Sequence, residues 1–247
     1  MLSTRAKPYN LIGAAVPSML VLSWNLFHGR SLPPAHHDLL PEFAARLAGW
    51  EWDVALLQEV PPWWPRELAR AAGAEQRAAM TSRNSLPALR RALARRDPES
   101  MKSNGGGCNA ILARTAITEH AALRLRAWPE RRVAQFARLR DGVCVVNFHA
   151  STRVALAEHE LQRLWQRALH FAAGRPLILG GDLNLRQPRA PSPGIAHIAR
   201  REVDHIFVRG LAPVDEADVP ARSVSLGARE VQLSDHPPLR VRVRRHG

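Results

Sequence analysis

Apolar residues fall along this 247-residue chain in short runs bounded by polar turns. Met19–Trp24 alternates apolar and polar positions and reads as a buried strand. Asp53–Leu57, Cys108–Ala113, Ile117–Leu125, Val133–Leu139, Val143–Phe148, Pro176–Leu179, Val203–Val208 and Leu239–Val243 read the same way. Helical spacing places Leu39, Phe43 and Leu47 on one face of Asp38–Gly49, which ends at a glycine. A longer helix carries Val154, Ala157, Leu161, Leu164, Trp165, Ala168 and Ala172, with Ser151 and Thr152 as N-caps and Gly174 as its close. Arg66–Ala72 and the very basic Leu86–Arg96 are shorter helices. Pro61-Pro62-Trp63-Trp64-Pro65 breaks the chain, Asn104-Gly105-Gly106-Gly107 is a turn before a strand, and Arg186–Ile195 is a proline-rich loop.

Several of these strands are apolar on both faces, as in a sheet covered on each side. The pattern predicts an α/β (α+β) chain of packed sheets with helices outside. No repeat or linker divides it, so residues 19–247 are expected to form one domain. Residues 1–18 are read as an extension that need not be ordered: Leu11–Val16 is too short for a secretory apolar region and lies between Pro8 and Pro17. No apolar run reaches the roughly 18 residues of a membrane span, and a cytoplasmic location and a monomer are the expectation.

Composition changes this picture in one respect. Cys108 and Cys144 are too few for a disulfide framework or a zinc ligand set. The net charge, however, is +13, and Lys7 and Lys102 are the only lysines among 35 basic residues. Arginine's planar fork suits phosphate, and a basic surface attracts polyanions. Coding bias can enrich arginine but does not explain the excess over acids, so an anionic substrate, nucleic acid first, is expected.

The candidate chemistry sits where polar residues follow buried runs: Ser23-Trp24-Asn25-Leu26, Leu57-Gln58-Glu59-Val60, Val146-Asn147-Phe148-His149, Gly180-Gly181-Asp182-Leu183-Asn184, Val203-Asp204-His205-Ile206 and Leu233-Ser234-Asp235-His236-Pro237. Asp182 and Asn184, two apart on extended chain, would face one side. A carboxylate there can hold a water, and an amide can steady a phosphoryl oxygen; the same composition also suits a plain turn. Glu59 ends a buried strand, where a solvated acid is unexpected. Magnesium binds through one or two carboxylates and several waters, which makes Glu59 the first candidate ligand; pairing with an arginine is the alternative. Asn25 would add an amide oxygen or orient the metal's water, or merely cap a strand end. Asp235 is a second ligand or orients His236. Two histidines beside acids at strand ends, His149 and His236, suggest function, whereas His205 would face the other way and is assigned to structure.

In this order the six segments resemble the endonuclease/exonuclease/phosphatase (DNase I-like) superfamily, from about Met19 to Val243. The resemblance implies a four-layer sandwich, two packed, mainly antiparallel β-sheets flanked by helices, with Mg2+ or Mn2+ at one sheet edge. It implies that His236 contacts the scissile phosphate and is held by Asp204, and that His149 protonates the leaving oxygen or binds the phosphate. Asp182 would activate water for one-step hydrolysis, assisted by Asn184. Departures are visible. DNase-type members carry an acid that pairs with the N-x-H histidine; Glu75 and Glu99 are candidates without motif support. Leu26-Phe27-His28-Gly29-Arg30 replaces the acidic turn of abasic-site endonucleases, and Arg201-Glu202-Val203 stands where inositol phosphatases carry a cysteine-bearing hallmark. The expected function is a metal-dependent endonuclease or phosphodiesterase on DNA or RNA. The alternatives are a phosphatase or phosphodiesterase on a small or lipid phosphoester, and a non-catalytic nucleic-acid-binding protein. Trp63 and Trp64 would stack bases or belong to the core; Arg90, Arg91, Arg95 and Arg96 would track a phosphate backbone or form a solvated face.

Overall fold

A computed structural model describes residues 18–81, 84–101 and 107–246. The expected extension lies outside these residues except for Ser18, which already pairs with Arg244 in the first strand; positions 104–106 of the expected glycine turn also lie outside. The first sheet runs β12 (Leu211–Pro213), β15 (Leu239–Arg245), β1 (Ser18–Asn25), β3 (Val54–Val60), β5 (Cys108–Ala113), β4 (Glu75–Met80). The second runs β10 (Ala196–Arg201), β11 (Asp204–Arg209), β9 (Leu177–Asp182), β8 (Cys144–Asn147), β7 (Arg132–Leu139), β6 (Ile117–Arg126). A small third sheet joins β13 (Ser223–Leu226), β14 (Arg229–Leu233) and β2 (Ser31–Leu32). Each large sheet is antiparallel except for its central pair, β1/β3 in one and β8/β9 in the other.

Alternation along the strands sorts side chains into layers. In the first sheet Val21, Val54, Leu56, Ile111 and Val241 face the second sheet's Val145, Ile178 and Ile206. Their neighbours Leu22, Trp24, Ala55 and Leu57 face outward, onto α1 (Leu40–Gly49) and α2 (Pro65–Ala72). Trp24 packs there against Phe43 and Trp50, each at 5.1 Å between rings. On the far side Val146, Leu177, Leu179 and Phe207 meet α5 (Val154–Ala172). Two helices, α3 (Pro87–Arg96) and the short α4 (Pro98–Met101), lie outside this core, and α3 buries none of its residues. The result is the four-layer sandwich. Each fully buried Leu or Phe on these faces stabilises it by roughly 1.5–3 kcal/mol.

Three local expectations are corrected. The N-cap of α5 is Arg153, without a side-chain cap; Ser151 instead donates both its N–H and its hydroxyl to Glu160. The helix closes on Ala173, in the left-handed region at φ 46°, one residue before Gly174. Trp64 is core: it lies 5.2 Å from Phe43 and is too buried to stack a base, while Trp63 packs half-buried against the same cluster. No helix among the described residues is long and apolar enough to cross a membrane.

Candidate active site

Parallel neighbours end at the same edge, so each large sheet brings two strand C-termini side by side: Asn25 pairs with Gln58, and Asn147 with Gly180. Hydrogen bonds then tie the two sheets together at this edge. Asn25 Nδ2 donates to Asp182 Oδ2 at 2.9 Å, and Gln58 Nε2 donates to Asn147 Oδ1 at 2.8 Å. Asn147 Nδ2 also donates to the carbonyls of Leu57 and Ala110. These buried amides are struts of the site, and nothing in the sequence beyond their position beside the candidate residues marked Gln58 and Asn147 for that role.

Glu59 reaches the site through a β-bulge. Leu57 pairs with Ala110 and Val60 with Cys108, so two residues of β3 oppose one of β5. Glu59 adopts φ 49°, a left-handed conformation uncommon for a side chain of its size. The bulge turns its carboxylate to His28 Nε2 at 3.1 Å and His149 Nδ1 at 3.8 Å. No arginine forms an ion pair with it among the described residues. Burial, and next the charge of Asp235, push its pKa up to about 7.

Asp182 lies at the centre. Gly181 before it has φ 140°, and a Cβ there would sit 1.9 Å from the Phe148 carbonyl oxygen. Only glycine permits that approach, which sets Asp182 Oδ2 3.4 Å from His149 Nε2 and 3.8 Å from His236 Nε2. Burial raises the pKa of Asp182, against the opposing effects of His236 and the Asn25 hydrogen bond. Asn184 is not on extended chain as its spacing suggested. It has φ 51°, its N–H bonds Asp182 Oδ1, and its side-chain amide donates to the Ala150 carbonyl at 3.0 Å. The turn reading and the site reading are both satisfied: Asp182 organises the turn that holds Asn184 beside it.

Asp204 stands directly opposite Asp182 in the β9/β11 register and accepts from His236 Nδ1 at 2.7 Å. That bond leaves Nε2 facing the cleft. Burial opposes charge on His236, but the Asp204 hydrogen bond, with Asp182 and Asp235, outweighs it and raises the pKa to about 9. Burial lifts Asp204 to about 6, against the His236 bond. His236 is anchored by three further contacts: Ser234 accepts its N–H, Ser234 donates to the Asn25 carbonyl at 2.6 Å, and Trp24 Nε1 donates to the His236 carbonyl. His149 is driven the other way. Burial, then Arg132, His28 and His236, hold it well below 6.5 and keep it neutral.

The decisive comparison is with the family model of the Endonuclease/Exonuclease/phosphatase family, which matches residues 22–236. The chain belongs to that family. Solved structures share its fold at low identity. An endonuclease/exonuclease/phosphatase from Beutenbergia cavernae has 19% identity and a TM-score of 0.70, over 93% of this chain and 72% of that one. The mannosyl-6-phosphatase of Bacteroides thetaiotaomicron has 17% identity and a TM-score of 0.67, over 91% and 99%. TDP2 from Caenorhabditis elegans has 15% identity and a TM-score of 0.65, over 92% and 74%. No curated protein matches the sequence.

Within this family member the eight residues singled out from the sequence converge on one cleft. Asp235 lies at its rim, its carboxylate 4.0 Å from His236 Nε2. The acid facing His149 is Glu59 or Asp182, because Glu99 pairs with Arg30, and Glu75 bonds the Ile117 N–H and pairs with Arg77. His28, the partner of Glu59, is the residue that sequence reasoning missed, and its turn carries no signal for that role. His205 is structural: fully buried, it bonds His197 at 3.0 Å and the Leu185 carbonyl. The donors available to a cation are hard oxygens, from Glu59, Asp235 and the Asn25 amide, whose oxygen also accepts the Phe27 N–H. Among the described residues no three His, Cys, Asp or Glu side chains enclose an ion. An ion held by one or two carboxylates plus water, as magnesium is, needs no such cage.

Proposed function

We propose that this chain is a divalent-metal-dependent phosphoesterase that hydrolyses nucleic-acid phosphodiester bonds in one step. The observation that carries the reading is a single line of contacts, Glu59–His149–Asp182–His236–Asp204, spanning both sheets with Asp182 in the middle. Asp182, its carboxylate oriented by Asn25 and its pKa raised toward neutrality, takes the proton of the attacking water. The water oxygen bonds to phosphorus as the bond to the leaving oxygen breaks. His236, kept charged by Asp204, stabilises the phosphoryl oxygens and is the nearby proton source for the leaving oxygen. Neutral His149 supports the phosphate by a hydrogen bond rather than by charge, and Asn184 offers its second amide hydrogen. Glu59 with Asp235 and Asn25 would hold Mg2+ or Mn2+, which supplies neutralisation of the developing oxyanion. Glu59 and Asp235 raise each other's cost of ionisation across a buried cleft, which is the imbalance a cation relieves. The net charge of +13 favours a polyanionic substrate over a small phosphoester.

The test is a substrate panel with Mg2+ or Mn2+: plasmid DNA, RNA, bis-p-nitrophenyl phosphate and inositol phosphates. Nucleic acid and the small diester should be cut, EDTA should stop the reaction, and Asp182→Ala should slow it by at least about 10²–10³. Glu59→Gln should raise the metal concentration needed more than it weakens DNA binding. Turnover of monoesters alone would transfer the site to a phosphatase. Tight DNA binding without turnover in any metal would leave a binding protein.

A further inference from the structure

Beside Asn184 the cleft opens into a groove of about 1150 Å³, between the first half of α5 and the loop over residues 185–191. Its helix wall is one face, with Val154, Glu158, Leu161 and Trp165 at helical spacing. The loop wall presents Arg186 and Arg189, with Pro188 and Pro191 stiffening the backbone between and after them. Both arginines are exposed and form no ion pair or hydrogen bond among the described residues. One acid, Glu158, also lines the groove, so the two cations outnumber it. The Trp165 indole N–H beneath this surface is buried and has no acceptor.

On the other flank of His236 the space is much smaller. That cavity holds about 170 Å³ and is lined by Arg201, Asp204, Asp235 and His236. Pockets for small organic ligands typically span about 300–1,000 Å³. The small side has room for little more than the reacting phosphate, whereas the Asn184 side has room for at least one nucleotide. The site is therefore lopsided along the line of its own catalytic residues.

We infer that this groove is a subsite for the nucleotide adjoining the scissile phosphate on one side only, with the base against the α5 face and the next phosphate on Arg186 and Arg189. The inference rests on the nucleic-acid reading above and adds the placement of the substrate. A base stacked within a duplex does not reach the apolar floor made by Leu161 and Leu185; an unpaired one does. The subsite accordingly takes single-stranded DNA or RNA, or a frayed end.

The experiment compares wild type, Arg186→Ala/Arg189→Ala and Val154→Glu on two substrates: a single-stranded oligonucleotide and bis-p-nitrophenyl phosphate. Val154 is 58% exposed, so the acid it gains faces the groove without burying charge. Both variants should lose about tenfold or more in kcat/KM on the oligonucleotide and retain wild-type turnover of the small diester, which also shows that they fold. The arginine variant should bind the oligonucleotide with a salt slope shallower by about 1.4, since each phosphate contact on a single strand contributes about 0.7. If the wild type cuts the oligonucleotide while the variants match it in rate and salt slope, the subsite is wrong and the nucleic-acid reading stands. Equal losses on both substrates would likewise overturn the subsite. If the wild type hydrolyses the small diester but no nucleic acid, both readings fall together.

Discussion

Glu160→Gln is the perturbation that best separates packing from catalysis. Glu160 lies on α5 with no exposed surface. One carboxylate oxygen accepts the Ser151 N–H at 2.9 Å; the other accepts the Ser151 hydroxyl at 2.7 Å and the Arg126 guanidinium. These bonds pin the segment that follows His149. The same segment is pinned from the other side, because the Ala150 N–H donates to the Asp182 carbonyl at 2.9 Å and the Ala150 carbonyl accepts from Asn184. Glu160 is thus a positioning residue for His149 and Asn184, two bonds removed from the cleft.

Glutamine has the same shape but only one acceptor oxygen. Whichever way its amide turns, either the buried Ser151 N–H or the Arg126 guanidinium faces an NH2 group. An unsatisfied buried donor costs roughly 1–3 kcal/mol, and Arg126, partly in water, can recover some of its share. For a chain of this size each kcal/mol moves the Tm by about 2–4 °C, so a fall of about 2–12 °C is expected. Loosening the 149–151 segment should lower kcat by about 10–100-fold, because small misplacements of catalytic groups carry penalties of that order. KM should change much less. The assay is bis-p-nitrophenyl phosphate turnover at a temperature well below both melting points, alongside calorimetry. A lowered Tm with unchanged kcat would show that Glu160 serves packing alone. An unchanged Tm would show that its hydrogen bonds are not formed as described.

Two further predictions concern backbone and protonation. Gly181→Ala places a methyl group 1.9 Å from a backbone oxygen at φ 140°, so yield of folded protein should collapse; a soluble variant with a near-native Tm would refute the close approach of β9 to Phe148. In metal-free protein His236 should titrate near pH 9 by NMR, above its usual 6.5, and Asp204→Asn should bring it down as burial goes unopposed. Because the folded-state pKa is raised, the stabilisation is complete below about 6.5 and is lost as pH rises toward 9; a wild-type midpoint at or below 6.5 would disprove the Asp204 contact.

What could be read from the sequence follows from where burial leaves a signature. The central strands are apolar on both faces, and the polar residues that end them, Asn25, Glu59, Asp182 and Asp204, interrupt a hydrophobic run and so stand out. Edge strands leave no such mark. β4, Glu-Gln-Arg-Ala-Ala-Met, and β10, Ala-His-Ile-Ala-Arg-Arg, border solvent and lack a clean alternation, and neither is visible as a strand before the structure. The backbone twists at Glu59 and Asn184 are equally silent, because neither residue type announces a positive φ. Glu160 is different. It follows Ala157 by three and precedes Leu164 by four, so an acid sits on the apolar stripe of α5. That is a legible signal for a buried carboxylate with a partner.

The placement of the cleft has a cause in topology rather than in any one residue. In a wholly antiparallel sheet, neighbouring strands finish at opposite edges, and their C-terminal residues cannot meet. One parallel pair at the centre of each sheet changes this: Asn25 and Gln58 finish together, as do Asn147 and the 180–182 segment. Stacking the sheets face to face then sets the two pairs of ends against each other, joined by the Asn25–Asp182 and Gln58–Asn147 bonds. Asp204 and His236 arrive from strands or loops that begin at this edge, since β11 and β15 run antiparallel to their neighbours β9 and β1. The six polar segments, far apart in the chain, therefore share one location by strand direction alone. The hydrogen bonds that hold this edge of the sandwich closed are the same ones that orient Asp182, so rigidity at the edge and readiness for chemistry come from a single set of contacts.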